Sequence, residues 1–235
     1  MKSIAITQSN YLPWRGYFSL IASVDEFVFL DNVQYTRRDW RNRNIFRKEA
    51  KSFASKWLTI PLESGGSRKS EIQDIEVKID SNWAVDHVSK LQGYYSNSEF
   101  YDDLVPVIEG IKSCKGKHRL SDINQYLIEI VVAQLGLNVN FKRSTEKSLG
   151  LDATDRLLTI IETSEATRYL TGPAAKNYIV EQKFDKKGIE IKYADYKNLP
   201  PFIDLQSDRL SEFSIVDCLA RHGVGKTRDL ISFSL

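Results

Sequence analysis

The fold is decided by the stretch Ser3–Leu30, SIAITQSNYLPWRGYFSLIASVDEFVFL. Its two apolar runs, Ser3–Thr7 and Glu26–Leu30, have the length and composition of buried strands. Between them, Tyr17–Val24 has the pattern of a short helix. A strand, a loop, a helix and a second strand in such a short stretch are typical of a βαβ unit, in which the two strands are parallel. The stretch therefore predicts an α/β fold.

Further strands and helices follow from the same periodicity. Strands are predicted at Lys56–Leu62, Ile72–Ile79, Val139–Lys142, Arg168–Leu170 and Ile189–Tyr193. Helices are predicted from Ser81 or Asn82 to Tyr94, from Ser98 to Ile111, and at Ser121–Leu135, Asp155–Thr163, Lys176–Lys183 and Ser214–Arg221, the last ended by Gly223. We expect one α/β domain over residues 1–235, with a mostly parallel sheet flanked by helices and a helical insertion at about residues 81–136.

Composition places the chain among globular proteins, with 235 residues, 42% hydrophobic and 27% charged residues, and a formal net charge of +2. Its two cysteines exclude a disulfide-dense secreted scaffold and a four-cysteine zinc site. The three histidines are far apart in the sequence, so no metal site is predicted. No stretch approaches the ~20 apolar residues that cross a bilayer. We expect a cytoplasmic protein without a membrane span.

The loop after the first strand is the first candidate site. Its candidate binding residues are Gln8, Asn10, Tyr11 and Trp14. Ligands of open parallel sheets bind at the carboxyl ends of the strands, which is where this loop lies. The alternative is a rigid, proline-containing turn with Trp14 packed into the core.

The second strand also ends in polar residues, among them Asp31 and Gln34. A partly desolvated carboxylate at Asp31 can act as a general base or orient an amine nucleophile. The alternative is an aspartate that only caps the loop.

A basic run follows from Arg37 to Lys51, with seven basic and two acidic residues. Its candidate binding residues are Trp40, Arg41, Asn42, Arg43 and Asn44. Arginine suits bidentate contacts to phosphate, and tryptophan can stack on a base or a sugar. Because the whole chain carries only +2, the remainder is net acidic, which favours a single nucleotide or pyrophosphate over nucleic acid. The alternative is a solvated, charged face.

Two glycine-containing segments complete the candidates. The segment Tyr169–Tyr178, YLTGPAAKNY, predicts a strand, a turn at Gly172 and a helix whose N-terminus can receive an anion or a carbonyl oxygen. Pro173 at a first helical turn also has a purely structural explanation. The segment GVGKT at 223–227 looks like the end of a Walker phosphate loop, but Ala220 stands where that motif needs its first glycine. We therefore expect no ATP binding there.

Three motifs carry a family resemblance: QSNYLPWRGYF at 8–18, DNVQY at 31–35 and WRNRN at 40–44. With them the chain resembles the WbqC-like protein family of bacterial surface-polysaccharide (O-antigen) biosynthesis. The supporting motifs WLTIPL, YLTGPAAKNY and FSIVDCLARHG extend the resemblance over the full length. The chain departs from the family at Thr7, where the usual opening has a histidine, and at Ala174 and Ala175, which replace a glycine pair.

The resemblance implies a place in surface-polysaccharide biosynthesis more than a particular reaction. Because enzymes of such pathways often modify nucleotide-linked sugars, we predict a transferase that acts on a nucleotide-linked amino sugar and forms an amide by acyl or aminoacyl transfer. Asp31 or His87 would take the proton of the amine. Gln8, Asn10 and Gln34 would hold the sugar or the acyl carbonyl, and Arg41 and Arg43 would hold a diphosphate. The acyl donor would be a thioester of coenzyme A or of an acyl carrier protein, and no tightly bound cofactor and no nucleic acid partner are expected.

Two alternatives stay open. One is a nucleotide-dependent enzyme like the nucleotidylyltransferases with an HxGH loop, although neither histidine is present. The other is a non-catalytic protein that binds a nucleotide sugar within a biosynthetic complex, an idea that Thr7 favours.

Overall fold

The computed structural model describes residues 1–48, 54–63, 70–144, 152–201 and 213–232. Within these ranges a five-stranded sheet forms, and all its neighbouring strands are parallel. In chain order the strands of the structure are β1 (Ser3–Thr7), β2 (Glu26–Phe29), β3 (Arg43–Arg47), β4 (Ser55–Thr59), β5 (Asn140–Arg143), β6 (Arg168–Thr171) and β7 (Glu190–Tyr193). The large sheet has the order β5-β2-β1-β6-β7, and β3 and β4 form a separate antiparallel hairpin. The predicted α/β fold with a parallel sheet is confirmed.

The central strands are apolar because both faces of the sheet are covered. Ile4, Ile6 and Val28 belong to the hydrophobic cluster on one face. Ala5 and Phe27 alternate with them and belong to the cluster on the other face. A strand that is buried on both sides reads as a continuous apolar run, which is why β1 and β2 are visible in the sequence.

Helices cover both faces of the sheet. They are α1 (Arg15–Ala22), α2 (Trp83–Tyr95), α3 (Val105–Ser113), α4 (Leu120–Gln134), α5 (Ala153–Thr163), α6 (Glu181–Asp185) and α7 (Ile215–Ile231). Helices α2 to α4 form the predicted insertion and share one hydrophobic cluster with α1 and α7. Helices α5 and α6 pack in the cluster on the opposite face. The division of the chain into one domain stays a prediction.

The strand predicted at Ile72–Ile79 is wrong. Residues Ile72–Asp74 form a 3-10 turn, and only isolated bridges follow it. The alternation that suggested a strand is real, since Ile72, Ile75 and Val77 are all buried. However, the backbone of this segment bonds to separate partners, with the Val77 N–H donating to the carbonyl of His118. No continuous series of hydrogen bonds to one neighbouring strand forms. The alternating apolar residues therefore belong to a loop that buries one side against the core.

The basic run contains a strand that the sequence analysis missed. Strand β3 pairs with β4 from Arg43↔Thr59 to Arg47↔Ser55. Its side chains Asn44 and Phe46 are buried, and Ile45 between them is half-buried. Arg43 and Arg47 flank these residues, so the segment looks like part of a charged run and not like a strand. The end of the run at Lys51 lies outside the described residues.

Three predicted helices have different bounds in the structure. The helix predicted from Ser98 to Ile111 divides into a 3-10 turn at Tyr101–Leu104 and the helix α3, which begins at Val105. The segment Lys176–Lys183 divides into a 3-10 turn at Pro173–Asn177 and the short helix α6. The last helix does not end at Gly223 but kinks there, with φ 73° and ψ 169°, and continues to Ile231. A glycine tolerates this positive φ, and a side chain there would meet the ring of Phe100.

The strand order creates a crevice between two neighbouring strands. The chain moves from β1 to β2 and β5 on one side of the sheet and places β6 and β7 on the other side of β1. The loops that follow β1 and β6 therefore lead away from each other. Such a switch point is where open α/β sheets bind their ligands.

Candidate functional site

A cavity of about 1480 Å³ opens at the carboxyl edge of the sheet, at the switch point. Strand β1 contributes Thr7 and the following loop, and β6 contributes Thr171 and Gly172. Of the binding residues predicted from the sequence, the cavity is lined by Gln8, Asn10, Trp14, Gln34, Arg41 and Gly172. Residues from distant parts of the sequence thus converge on one cavity, at the place where open α/β sheets bind their ligands.

The Arg41 guanidinium is held in place by the loop that follows β1. Its Nη2 donates to Oε1 of Gln8 at 2.9 Å, and its Nη1 donates to Oδ1 of Asn10. Asp39 lies 3.6 Å from Nη2 as an ion-pair partner. The two predicted amides therefore orient the arginine, so that they and Arg41 form one unit in the cavity wall. Planar, oriented guanidinium groups are suited to phosphate.

Arg156 of α5 adds a second cation that the sequence analysis missed. It lines the same cavity, and its Nε is buried and has no hydrogen-bond partner among the described residues. Sequence reasoning missed Arg156 because it follows Asp152 and Asp155, and acidic residues followed by a basic one are common in the first turns of ordinary helices. In the structure Asp152 caps the helix by accepting a hydrogen bond from the Asp155 N–H. The cap fixes the first turn, and Arg156 faces the cavity from it.

Aromatic side chains form another part of the wall. Trp14 and Tyr196 meet edge to face, with ring centroids 4.9 Å apart. A Cβ atom on Gly16 would lie 2.2 Å from the Trp14 ring, so only glycine leaves room for this ring position. The Tyr17 hydroxyl donates to the Gln8 carbonyl at 3.1 Å. Burial raises the pKa of Tyr196 to about 12, so its phenol is neutral near pH 7 and can donate hydrogen bonds.

Asp31 is buried beside the cavity. Only 4% of its surface is exposed, and it accepts hydrogen bonds from the Ser9 N–H at 2.8 Å and from Nε2 of Gln125 at 2.7 Å. Burial raises the pKa of Asp31, and these hydrogen bonds oppose the rise. Asp31 lines a smaller cavity of about 260 Å³, which shares Gln73 and Ser144 with the larger one. The carboxylate thus fixes the binding loop at Ser9 and faces a neighbouring cavity.

Glu71 is the one carboxylate on the wall of the larger cavity, as far as the described ranges go. It accepts a hydrogen bond from Nε2 of Gln73 at 2.6 Å, and its backbone pairs with Gln34. Sequence reasoning missed Glu71, because it lies directly before a segment that looks like a half-exposed strand and belongs to no recognisable motif.

His87 and Tyr11, two predicted site residues, do not line the cavity. The Tyr11 hydroxyl lies 2.8 Å from Nδ1 of His87, and the ring of Trp83 meets the imidazole edge to face with centroids 5.4 Å apart. Burial lowers the pKa of His87 to about 4, so the ring is neutral at pH 7. We therefore assign both residues to the packing between the β1 loop and α2.

Asn42 and Asn44 support the site from behind. The Asn44 side chain donates to the carbonyl of Leu12 at 2.7 Å and to that of Tyr11 at 3.1 Å. Asn42 donates to the carbonyl of Ile60 at 2.8 Å. Neither side chain lines the cavity, and both join the hairpin to its neighbours.

Trp40 and Arg43 lie on the outer side of the hairpin. Trp40 packs against Trp57 with ring centroids 5.3 Å apart, and both indoles are partly exposed. The Arg43 guanidinium lies 4.3 Å from the Trp57 ring centroid. These two predicted binding residues therefore form a cation–π cluster apart from the cavity.

The three positions that the sequence analysis singled out as departures from the motifs of the family it resembles all lie in the cavity. Thr7, Ala174 and Ala175 line it.

In the described ranges, no group of three or more His, Cys, Asp and Glu side chains is placed to hold a metal ion. No helix within those ranges has the length and apolar character needed to cross a membrane.

The open parallel sheet and the cavity at its switch point define an α/β protein with a candidate ligand-binding cavity. Comparison with known proteins then identifies its family: the WbqC-like protein family matches residues 8–229, and the chain belongs to it. A relative from Mycobacterium tuberculosis, named "Uncharacterized protein Rv1507c", is 35% identical over 224 residues, which cover 95% of each chain. The comparison with solved structures found no match.

Proposed function

We propose that this protein is a transferase that forms an amide on a nucleotide-linked amino sugar in surface-polysaccharide biosynthesis. The observation that carries the proposal is the pair of arginines, Arg41 and Arg156, in one aromatic-lined cavity at the switch point of a parallel sheet. The phosphates of a nucleotide sugar are anionic and its base is planar, and the cavity has complementary groups for both.

In this proposal the diphosphate lies between the arginines and the helical turn after β6. Arg41 is already oriented by Gln8 and Asn10, so little side-chain freedom is lost on binding. Gly172 precedes the Pro173–Asn177 turn and leaves the backbone open to the cavity. Gln8 and Asn10 were expected to hold the sugar or the acyl carbonyl. In this proposal they instead orient Arg41, because their side-chain oxygens already accept hydrogen bonds from its guanidinium.

The sugar and the base are assigned to the aromatic wall. Trp14 and Tyr196 offer ring surfaces for stacking, and Gln34 and Tyr178 offer polar groups at the rim. Arg43 and Trp40 have no place in this binding mode, because they lie on the outer face of the hairpin.

The reaction needs a neutral amine, a polarised carbonyl and a stable leaving group. The amine nitrogen attacks the carbonyl carbon of an acyl thioester, forms the C–N bond and breaks the C–S bond. A carboxylate takes the proton from the nitrogen, and the thiolate leaves as the thiol of coenzyme A or of an acyl carrier protein. Two carboxylates are candidates for this role: Glu71 lines the larger cavity, and Asp31 lines the smaller cavity beside it. We expect this reaction to take place in the cytoplasm.

The test is to incubate the protein with nucleotide amino sugars and acyl thioesters and to detect the amide and the free thiol by mass spectrometry. The proposal expects turnover in the wild type, with a large loss in Asp31→Asn or Glu71→Gln. Exposed Asp86 gives the control Asp86→Asn, which is expected to keep full activity. If no donor and acceptor pair yields an amide, the proposed reaction is wrong.

One observation favours a second candidate, a non-catalytic nucleotide-sugar-binding protein. Thr7 lines the cavity at the position where the family's usual opening has a histidine, so a proton-transfer group of the relatives can be absent here. Tight binding without turnover, unchanged in Asp31→Asn, would support this candidate. Release of pyrophosphate from a nucleoside triphosphate would instead favour the nucleotidylyltransferase alternative.

A further inference from the structure

The smaller cavity differs from the larger one in its chemistry. Its wall includes the buried hydrogen-bond acceptors of Asp31, Gln125 and Ser144. Its volume is about 260 Å³, whereas one water molecule needs only ~10–15 Å³. Its basic residues are already paired, with Arg119 3.1 Å from Asp74 and Arg143 3.1 Å from Asp122. An acceptor-lined cavity with neutralised cations suits a ligand that donates hydrogen bonds.

Gln125 supplies the first unused acceptor. Its Nε2 donates to the Asp31 carboxylate, which fixes the orientation of the amide. Its Oε1 therefore faces away from Asp31, and no described residue donates to it. Because only 2% of the residue is exposed, this oxygen is a buried acceptor without a donor. Such atoms are rare in folded proteins and need an explanation.

Ser144 supplies the second unused acceptor. Its hydroxyl is buried and has no hydrogen-bond partner in the described part of the chain. Ser144 follows β5 and lines both cavities, as Gln73 does. A group that enters the smaller cavity from the larger one would pass these two residues.

We propose that the smaller cavity is the subsite for the acceptor's primary amine, held by Asp31, Gln125 and Ser144. An amine or ammonium group has up to three hydrogens, and these three side chains offer one acceptor each. The inference rests on the proposed function and makes it specific. The amine enters as an ammonium group, and one proton passes from nitrogen to a carboxylate oxygen of Asp31. The neutral nitrogen then attacks the acyl carbon, the C–N bond forms and the C–S bond breaks. The second proton lost from nitrogen goes to the departing thiolate, which leaves as the thiol, and Asp31 returns the first proton to solvent. Gln125 and Ser144 hold the nitrogen, and Glu71 stays on the wall of the larger cavity.

The experiment measures binding of glucosamine and N-acetylglucosamine to the isotope-labelled full chain by NMR. The Gln125 side-chain amide is the local reporter, assigned through its absence in Gln125→Met. We expect glucosamine to bind and to shift this signal, and N-acetylglucosamine to bind at least about tenfold more weakly, because it lacks the cationic amine.

The variants separate binding from folding. Ser144→Ala breaks no hydrogen bond of the described structure, so it is expected to weaken glucosamine binding severalfold while its melting temperature stays that of the wild type. Gln125→Met is expected to abolish the preference for the amine. Exposed Gln92 gives the matched control Gln92→Met, which is expected to bind as the wild type does.

Three results would overturn the inference: equal affinity for the two sugars, an unchanged preference in both variants, or occupation of the cavity by ordered water only. Titration of the same protein with uridine diphosphate distinguishes the two proposals. If the diphosphate binds and glucosamine shows no preference, the amine subsite is wrong and the proposed function stands. If glucosamine binds here and no nucleoside diphosphate or nucleotide sugar binds, the proposed function is wrong and the subsite stands.

Discussion

The imidazole of His87 makes the protein's stability depend on pH, and the substitution His87→Asn isolates this dependence. The ring is buried against Tyr11 and Trp83 and is also hydrogen-bonded to the backbone of Thr59. Asparagine keeps an acceptor for the Tyr11 hydroxyl and removes the titrating group. The variant loses some packing at every pH, so the informative quantity is the difference between the two pH dependences.

The size of the effect follows from the pKa of the ring. Burial lowers the pKa of His87 from 6.5 to about 4. Between these values the unfolded chain binds a proton that the folded protein does not bind, so the free energy of unfolding falls as the pH falls. Each pH unit is worth about 1.4 kcal/mol. From pH 7.5 to pH 5 the wild type is expected to lose about 2 kcal/mol through His87, and His87→Asn is expected to lose none of it.

Urea unfolding of both proteins across this pH range measures the difference directly. The control is His118→Asn, which removes an exposed ring and leaves His87 intact, so its pH dependence is expected to follow the wild type. Parallel curves for the wild type and His87→Asn would refute the argument, because they would mean that the buried ring is protonated as easily as in the unfolded chain. Because His87 lies outside the cavity, His87→Asn is also expected to bind ligand as the wild type does.

Other predictions concern the residues that shape the cavity. Asn44→Ala leaves the carbonyls of Tyr11 and Leu12 without their donor and is expected to lower the free energy of unfolding by about 3 kcal/mol, measured by urea unfolding. Gly16→Ala places a Cβ where the Trp14 ring lies, so a measurable change in tryptophan fluorescence and weaker ligand binding are expected, and an unchanged spectrum would contradict the packing. Asp152→Ala removes the N-cap of α5 and is expected to cost about 1 kcal/mol, with no effect expected from the exposed control Asp185→Ala.

The parallel core could be predicted from the sequence because its strands and helices have recognisable patterns of apolar residues over short stretches. Strands β1 and β2 are continuous apolar runs with buried residues on both faces, and α4 has apolar residues at helical spacing with a glycine after its end. The same reasoning failed at β3, where Arg43 and Arg47 flank a short buried core of the strand and make it look like part of a charged run. It also failed at Ile72–Asp74, where a buried loop edge has the alternation of a strand. Local patterns of apolar residues indicate which side chains are buried. Whether a segment forms a strand also depends on the distant segment with which its backbone pairs.

The site was predicted only in part for the same reason. Gln8, Asn10 and Arg41 stand at strand ends or in a basic run, and the structure places all three in the cavity. Arg156 and Glu71 had no local signal, because their role depends on which helix and which loop reach the sheet edge. Whether a polar residue faces the ligand or supports the loop behind it also depends on long-range packing.

The central claim is that the cavity binds a phosphate-bearing ligand through Arg41 and Arg156. The most direct test is calorimetric titration of the wild type, Arg41→Gln, Arg156→Gln and the control Arg37→Gln with nucleoside diphosphates and nucleotide amino sugars. Arg37 belongs to the same basic run but does not line the cavity. We expect each cavity variant to bind at least about tenfold more weakly, since each charged contact is worth about 1.5–3 kcal/mol, and Arg37→Gln to bind as the wild type does. Equal affinities in all four proteins, or an equal loss in the control, would contradict the claim.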